Sequence, residues 1–477
     1  MNKENKKVSS KVLISIFAAC LIVFCGLLTE TAVNIVFPTL IKEFKIDTAT
    51  VQWLTTGNLL VVAMITPLTA FFHKRFKLKN IFTCGAIIFL IGTILAVISP
   101  NFTMLLLARL IQGVAMGLCV PVGFSIILTQ IPPSKTGAFM GIGALVTAAA
   151  PAVGPTFGGI INVAFGWRAI FIVLIPIIII GIILGFLTIS QVTPLEKVPT
   201  DVTGIFLVMI TFFCLVYGFS NLEAIKTNLV GEIAFFIVGI IGLILFIIHC
   251  LKVNNPLVSM EIFKNIAFSA HLLAFFIINV SILGLAFILP NYLQITNRLN
   301  SMNAGMLMLP GAFLNAFMAL VGGIMYDKLG AKKPIIMGAI LFVVSIAFLA
   351  VFGRSLSLAM ILVSYIIYGI GCGWSFGNTM TNGLKKLPRN LSADGNTAFN
   401  TLLQFSGAVG TSIVAAILAA TQGSLSSDSY EMKTAIGADY GFVFLLILVV
   451  LCLILQIIAF KYSQKENDYI RDERIAE

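Results

Sequence analysis

Charge is scarce in this sequence. Asp, Glu, Lys and Arg together make up 10% of the 477 residues, while 59% are hydrophobic. A soluble domain carries about 25% charged residues. No water-soluble core of this length could hide so much apolar surface, so a soluble globule is excluded and lipid must be the solvent for much of the chain. No GxxxxGK[ST] phosphate loop occurs, which excludes a chain that drives itself with ATP. Histidine is limited to three residues. The eight cysteines are Cys20, Cys25, Cys84, Cys119, Cys214, Cys250, Cys372 and Cys452, and none stands in CxxC spacing. A thiolate metal site is therefore not expected, and the thiols read as small buried hydrophobes. Gly373-Trp374-Ser375-Phe376-Gly377 fits GxSxG. A nucleophile elbow needs a preceding strand and a histidine partner. Here the pattern lies inside an apolar run with no histidine at that depth, so it reads as helix packing and not as a hydrolase site.

What the chain does have is apolar runs. A membrane span needs about 17–25 such residues. Candidates lie at about 11–37, 51–72, 80–98, 103–128, 136–161, 169–190, 203–222, 231–250, 266–290, 303–325, 334–352, 356–382, 396–420 and 440–461. The expectation is an all-α integral membrane protein with 14 transmembrane helices. The lysines before the first run suggest a signal peptide, but no small-residue cleavage site follows, so that run reads as an uncleaved span.

The net charge of +11 could suggest nucleic acid, but the basic residues sit in short gaps between apolar runs. That is the pattern of membrane topology. With the N-terminus inside, inner segments hold 22 of the 30 basic residues, outer ones seven, and Arg109 lies within a span. This split places both termini in the cytoplasm. Lysine well above arginine, with much Ile and Phe, points to a low-GC bacterium and hence to a bacterial cytoplasmic membrane.

A weak repeat is visible. The segment 70–77 follows the second span and 323–330 follows the tenth, each a short basic turn. The implied organisation is an N-terminal six-helix half over 1–190, an inserted helix pair with linkers over 191–265, and a C-terminal half with its tail over 266–477. Internal symmetry of this type marks secondary transporters, whose substrate sites lie near the midplane.

Glu30 and Arg109 are the ionisable residues placed well inside spans, where charge is costly and functional by default. Both lie roughly 9–10 Å from the outer ends of their spans at 1.5 Å per residue, so they can meet at one level. A static pair that pins two helices is the alternative. Asn34 is i+4 from Glu30 and Gln112 is i+3 from Arg109, so each lies on the face of its charged neighbour. The run with Gly143, Pro151, Gly154, Pro155, Gly158 and Gly159 allows close helix approach and a bend. Aromatic and amide residues at the middle or outer ends of spans are candidate substrate contacts: Trp53, Asn58, Phe276, Asn279, Tyr292, Gln294, Asn315, Trp374, Asn378 and Gln404. His73, His249 and His271 lie near inner span ends and read as interfacial.

Four stretches resemble one family. Glu30 to Pro38 is similar to a first-helix motif, with Glu in place of Asp. Arg109-Leu110-Ile111-Gln112-Gly113 is similar to a fourth-helix RxxQG motif. Gly143 to Gly159 resembles a fifth-helix antiporter motif. Gly323, Asp327, Lys328, Gly330 and Lys332 resemble a GxxxDxxG loop motif with its basic end. The chain resembles the major facilitator superfamily along nearly its whole length, and within it the fourteen-helix drug:proton antiporters of Gram-positive bacteria. The resemblance implies the major facilitator fold, with two six-helix halves plus two inserted helices. It also implies a monomer that exports ethidium-like cations, fluoroquinolones or other small hydrophobic drugs. No cofactor is implied; the proton gradient drives it, with Glu30 and Arg109 as coupling residues and 323–332 as a gating loop. In the first half Lys74 and Lys77 replace the loop motif's Asp and Gly, which puts a locking role there in doubt. A proton-coupled nutrient symporter, a lipid or precursor flippase and a membrane receptor are the rival functions.

Overall fold

A computed structural model describes residues 8–191, 201–220, 229–253, 256–388, 391–424 and 428–476. In lipid a chain must satisfy its backbone polar groups internally, and a helix does so within one segment. Accordingly the described elements are all helical: α1 Ser10–Ile35, α2 Phe37–Phe44, α3 Thr48–Val51, α4 Trp53–Arg75, α5 Leu78–Val97, α6 Phe102–Gln130, α7 Pro133–Phe165, α8 Arg168–Thr188, α9 Val202–Ser220, α10 Leu229–Lys252, α11 Ile266–Asn291, α12 Ser301–Leu329, α13 Lys332–Val351, α14 Leu358–Leu384, α15 Ser392–Gln422 and α16 Tyr430–Ala476. Thirteen of them are long and apolar enough to cross a membrane, and α7 adds the shorter apolar stretch Ala149–Phe165. The protein is a multi-pass membrane protein.

Ends and breaks follow local chemistry. Ser9, Asn101 and Ser357 cap α1, α6 and α14 by accepting a backbone N–H. The first apolar run was expected to stay helical to residue 37. Instead α1 ends at Ile35, and the short α2 begins with Pro38 in its first turn. Proline lacks an N–H, so it starts a helix more readily than it continues one. A π-helical turn, Tyr292–Thr296, follows Pro290 at the end of α11.

The chain forms two compact units. Unit 1 comprises 1–205 with 289–309, and unit 2 comprises 206–288 with 310–477. In unit 1, α1 packs on α6, α7 and α8, while α5 lies against α6 and α8. Ile22, Phe82, Phe89, Cys119 and Ile178 form part of its apolar core. In unit 2, α13 packs on α14 and α16, and α15 packs on α16. A Cβ on Gly373 would come 2.6 Å from both Asn315 O and Ala319 N of α12. Ser375 Oγ accepts from Gln456 Nε2 at 3.2 Å. The GxSxG pattern is thus a packing face of α14, where small residues let helices approach closely in lipid.

Candidate functional site

Helices α1, α4 and α6 assemble a polar cluster inside unit 1. Glu30 is half-buried on α1, and Arg109 on α6 is 1% exposed. Arg109 Nε donates to Leu54 O at 3.1 Å, and Nη1 donates to Gln112 Oε1 at 2.7 Å. Gln112 Nε2 in turn donates to Thr93 Oγ1 at 3.0 Å. Asn58 Nδ2 donates to Arg109 O at 2.7 Å. The guanidinium is therefore held from two sides. Its field reaches Glu30, yet no hydrogen bond or ion pair within 4.0 Å joins the two. The static pin between helices is not formed in this arrangement. Gln112 orients Arg109, whereas Asn34 turns aside: its Oδ1 accepts from Thr55 Oγ1 at 2.6 Å.

In this polar cluster the buried nitrogens Asn34 Nδ2, Gln52 Nε2 and Arg109 Nη2 lack a partner. A buried unpaired donor costs about 1–3 kcal/mol. All three are donors, so what they lack is acceptors, which the ionised carboxylate of Glu30, water or a ligand can supply. Gln52, Thr55 and Thr93 were not picked out from sequence. Their one signal is polarity near the ends of apolar runs.

The glycine-rich helix α7 packs where it was expected to be tight. A Cβ on Gly158 would come 2.6 Å from Ala32 O and 2.9 Å from Ile35 Cγ2, and one on Gly154 would overlap Thr31. These contacts fix the stretch of α1 that carries Glu30. Beyond them α7 meets residues 289–309: Thr156 Oγ1 donates to Gly305 O at 3.0 Å, and Asn162 Nδ2 to Ser301 Oγ at 2.9 Å. Gly159 also lies against the Ser301 backbone. Gln294 Nε2 donates to Ile35 O at 2.8 Å, and Tyr292 is 1% exposed. Both serve unit 1 packing here. Pro151 and Pro155 lie inside α7. Gly143 instead lies beside Phe124 of α6. Gly158→Val should cost about 1–3 kcal/mol by overpacking, read as a lower thermal midpoint in detergent; an unchanged midpoint would show that α1 and α7 can separate freely.

A small apolar pocket lies between α1, α6 and α7, lined among others by Cys20, Val23, Val120, Phe124, Gly143 and Thr147. Apart from Gly143, none of these was a sequence candidate, because an apolar lining looks like any core.

The comparisons with known proteins bear on this geometry. Residues 19–411 match the family model of the Major Facilitator Superfamily. The chain belongs to the major facilitator superfamily. It is 35% identical over 441 residues to the lincomycin resistance protein LmrB of Bacillus subtilis, covering 90% of this chain and 92% of that one. It is 26% identical over 396 residues to the multidrug resistance protein B homolog of Mycobacterium tuberculosis, covering 81% and 73%. A solved bacterial homologue of the human lysosomal transporter spinster, inward-facing and unoccupied, superposes with a TM-score of 0.70 at 16% identity, covering 96% of this chain and 99% of that one. This facilitator is a transporter, not an enzyme.

The other candidates of the transporter fall as follows. Trp53 is half-buried at the start of α4. In unit 2, Asn279 Nδ2 donates to Leu403 O at 2.5 Å and to Ser406 Oγ at 2.9 Å, so it ties α11 to α15. Phe276 lies 6.1 Å from Phe405, which stacks on Phe212 of α9 at 4.4 Å. Asn378 Nδ2 bonds its own helix at Trp374 O, 2.8 Å away, while Trp374 Nε1 has no partner. Asn315 lies at the α12–α14 contact, and Gln404 is half-buried. Unit 2 thus keeps most of these amides for packing. In the loop motif, Gly330 has φ 81° and ends α12 in the left-handed form that glycine favours. Gly323 has open space around its Cα. Asp327, Lys328 and Lys332 are exposed. His271 corrects the sequence reading. It is 0% exposed, not interfacial, because α14, α15 and α16 close over that face of α11.

Proposed function

We propose that this facilitator exports small hydrophobic drugs, cationic or zwitterionic ones among them, in exchange for protons by alternating access. The observation that carries the reading is the Glu30–Arg109 cluster: a half-buried glutamate of unit 1 whose carboxyl group is electrostatically coupled to a fixed guanidinium but not ion-paired to it. Burial disfavours a charged carboxylate and a nearby cation favours it. A group held between these opposed influences exchanges a proton more readily than one locked in a direct salt bridge. Drug resistance in the names of the two relatives supports the substrate class. The apolar pocket beside α1 suits a hydrophobic moiety.

The same reading places the chain in the bacterial cytoplasmic membrane with both termini inside, as a monomer without cofactor. Residues 1–190 and 266–477 are then the two transport halves and 191–265 the insertion. Everted membrane vesicles test it. Ethidium should accumulate when the vesicle lumen is acid, and the gradient should dissipate on nigericin addition with loss of uptake. Uptake indifferent to the gradient would overturn proton coupling. Uptake only when the outer medium is the acid side would favour a symporter.

A further inference from the structure

His271 is the most enclosed ionisable side chain of unit 2 among the described residues, at 0% exposure. Nothing in the Glu30 mechanism uses it. Its ring stands edge-on to Phe460 of α16, with centroids 5.4 Å apart. Gly383 of α14 and Phe399 of α15 close another side, since a Cβ on Gly383 would come 3.1 Å from His271 Cβ. One ring nitrogen has a partner: Nε2 lies 2.7 Å from Asn382 Nδ2. The other, Nδ1, has none.

The partner is itself held. Tyr326 on α12 donates its hydroxyl proton to Asn382 Oδ1 at 3.3 Å. With Tyr326 as the donor, the amide turns its NH₂ toward the ring, and in that form Nε2 accepts and the ring proton sits on Nδ1. The charged groups around this triad are Lys385, whose Nζ lies 4.5 Å from the centre of the Tyr326 ring, and Lys386, whose field reaches His271. Asn265 at the head of α11 holds Lys386 by its carbonyl at 3.1 Å. From α15 and α16 the facing groups are the apolar Phe399 and Phe460. Among the described residues no carboxylate is placed against the ring, and Asp327, next in sequence to Tyr326, is exposed.

We propose that His271 is a second proton-binding residue of the transporter, whose charge state passes through the Asn382 amide to Tyr326 and the loop motif that follows it. The step balances. A proton from bulk water binds Nε2, which becomes a donor. The Asn382 amide turns by half a rotation so that Oδ1 accepts from Nε2–H and Nδ2 donates to the Tyr326 oxygen. Tyr326 thereby changes from donor to acceptor toward Asn382, and its own proton stays on the oxygen and rotates away from the amide. An amide and a hydroxyl can each serve either form, which a purely apolar enclosure could not do. An exchange role for this site rests on the proton-antiport reading; proton binding by His271 does not.

The chain has three histidines. Full-length His73→Gln/His249→Gln protein, labelled with ¹⁵N-histidine in nanodiscs, therefore reports His271 alone without touching its surroundings. The expected result is a neutral ring at high pH that converts to the doubly protonated ring as the pH falls. Asn382→Asp should move that conversion to higher pH by about 1 unit or more, since an opposite charge at contact favours the cation. Ethidium uptake should shift along the pH axis in the same direction. A ring that keeps one form down to the lowest pH at which the protein stays folded, in both proteins, would overturn the proposal. So would a ring that shifts in Asn382→Asp while the pH profile of uptake stays put. If instead the ring titrates but drug binding releases no proton from the parent, the antiport reading fails and proton binding at His271 stands.

Discussion

Glu30→Gln is expected to bring drug-induced proton release from the purified protein to background, and proton-driven ethidium export with it. The amide keeps the size of the carboxyl and its place on α1 beside Gly154 and Gly158. It removes the group that titrates. Removing one member of a direct buried ion pair costs about 3–5 kcal/mol. Here no direct pair exists, and Arg109 keeps its bonds to Leu54 O and Gln112. The loss of stability should therefore be smaller, and the variant should fold and still bind drug. Glu30→Asp should retain part of the activity, because it retains a titratable group on the same face. Proton release at the parental level from Glu30→Gln, together with normal export, would make Glu30 a structural residue.

Arg109→Lys should be nearly as damaging, although it preserves charge. The guanidinium reaches Leu54 O through Nε and Gln112 through Nη1, and it presents Nη2 as a free donor. Lysine concentrates its donors on one atom at the end of a flexible stem and cannot reproduce that fork. Losing one hydrogen bond to a buried charged group costs about 1.5–3 kcal/mol, or roughly 10- to 150-fold in a rate that depends on it. Gln112→Ala should do less harm, since Arg109 then keeps Leu54 O. The check is the initial rate of ethidium export for the three proteins at matched expression. A parental rate in Arg109→Lys would show that charge alone, without its fixed orientation, suffices.

The fold was legible because lipid imposes a crude rule: long apolar runs must be helices. The level of Glu30 and Arg109 was legible for a similar reason, since the helical rise converts sequence position into depth. Rotation about each helix was not legible, and most of the misreadings come from it. His271 was placed at an interface from its distance to the end of α11, yet its face of that helix is covered by α14, α15 and α16. Asn279 and Asn378 looked like free amides, but both are consumed by backbone carbonyls. Gln52 and Thr55 passed unnoticed because a lone amide or hydroxyl in a span is as often helix-to-helix glue as it is function. The tight seam between α1 and α7 could be read from its glycines. Its continuation onto Ser301 and Gly305 could not, because those partners lie more than a hundred residues away in sequence.

The central claim is that drug and proton move in opposite directions through one coupled cycle. The most direct measurement follows both at once in proteoliposomes of the purified parent, with no pH gradient at the start. A tenfold ethidium gradient imposed across the membrane is worth about 1.4 kcal/mol per drug molecule. Under exchange, drug running down that gradient must push protons up their own, so the compartment that gains ethidium should become more alkaline. Glu30→Gln liposomes should show no such pH change. Acidification of the compartment that gains ethidium, or drug flux with no proton movement in the parent, would contradict the account.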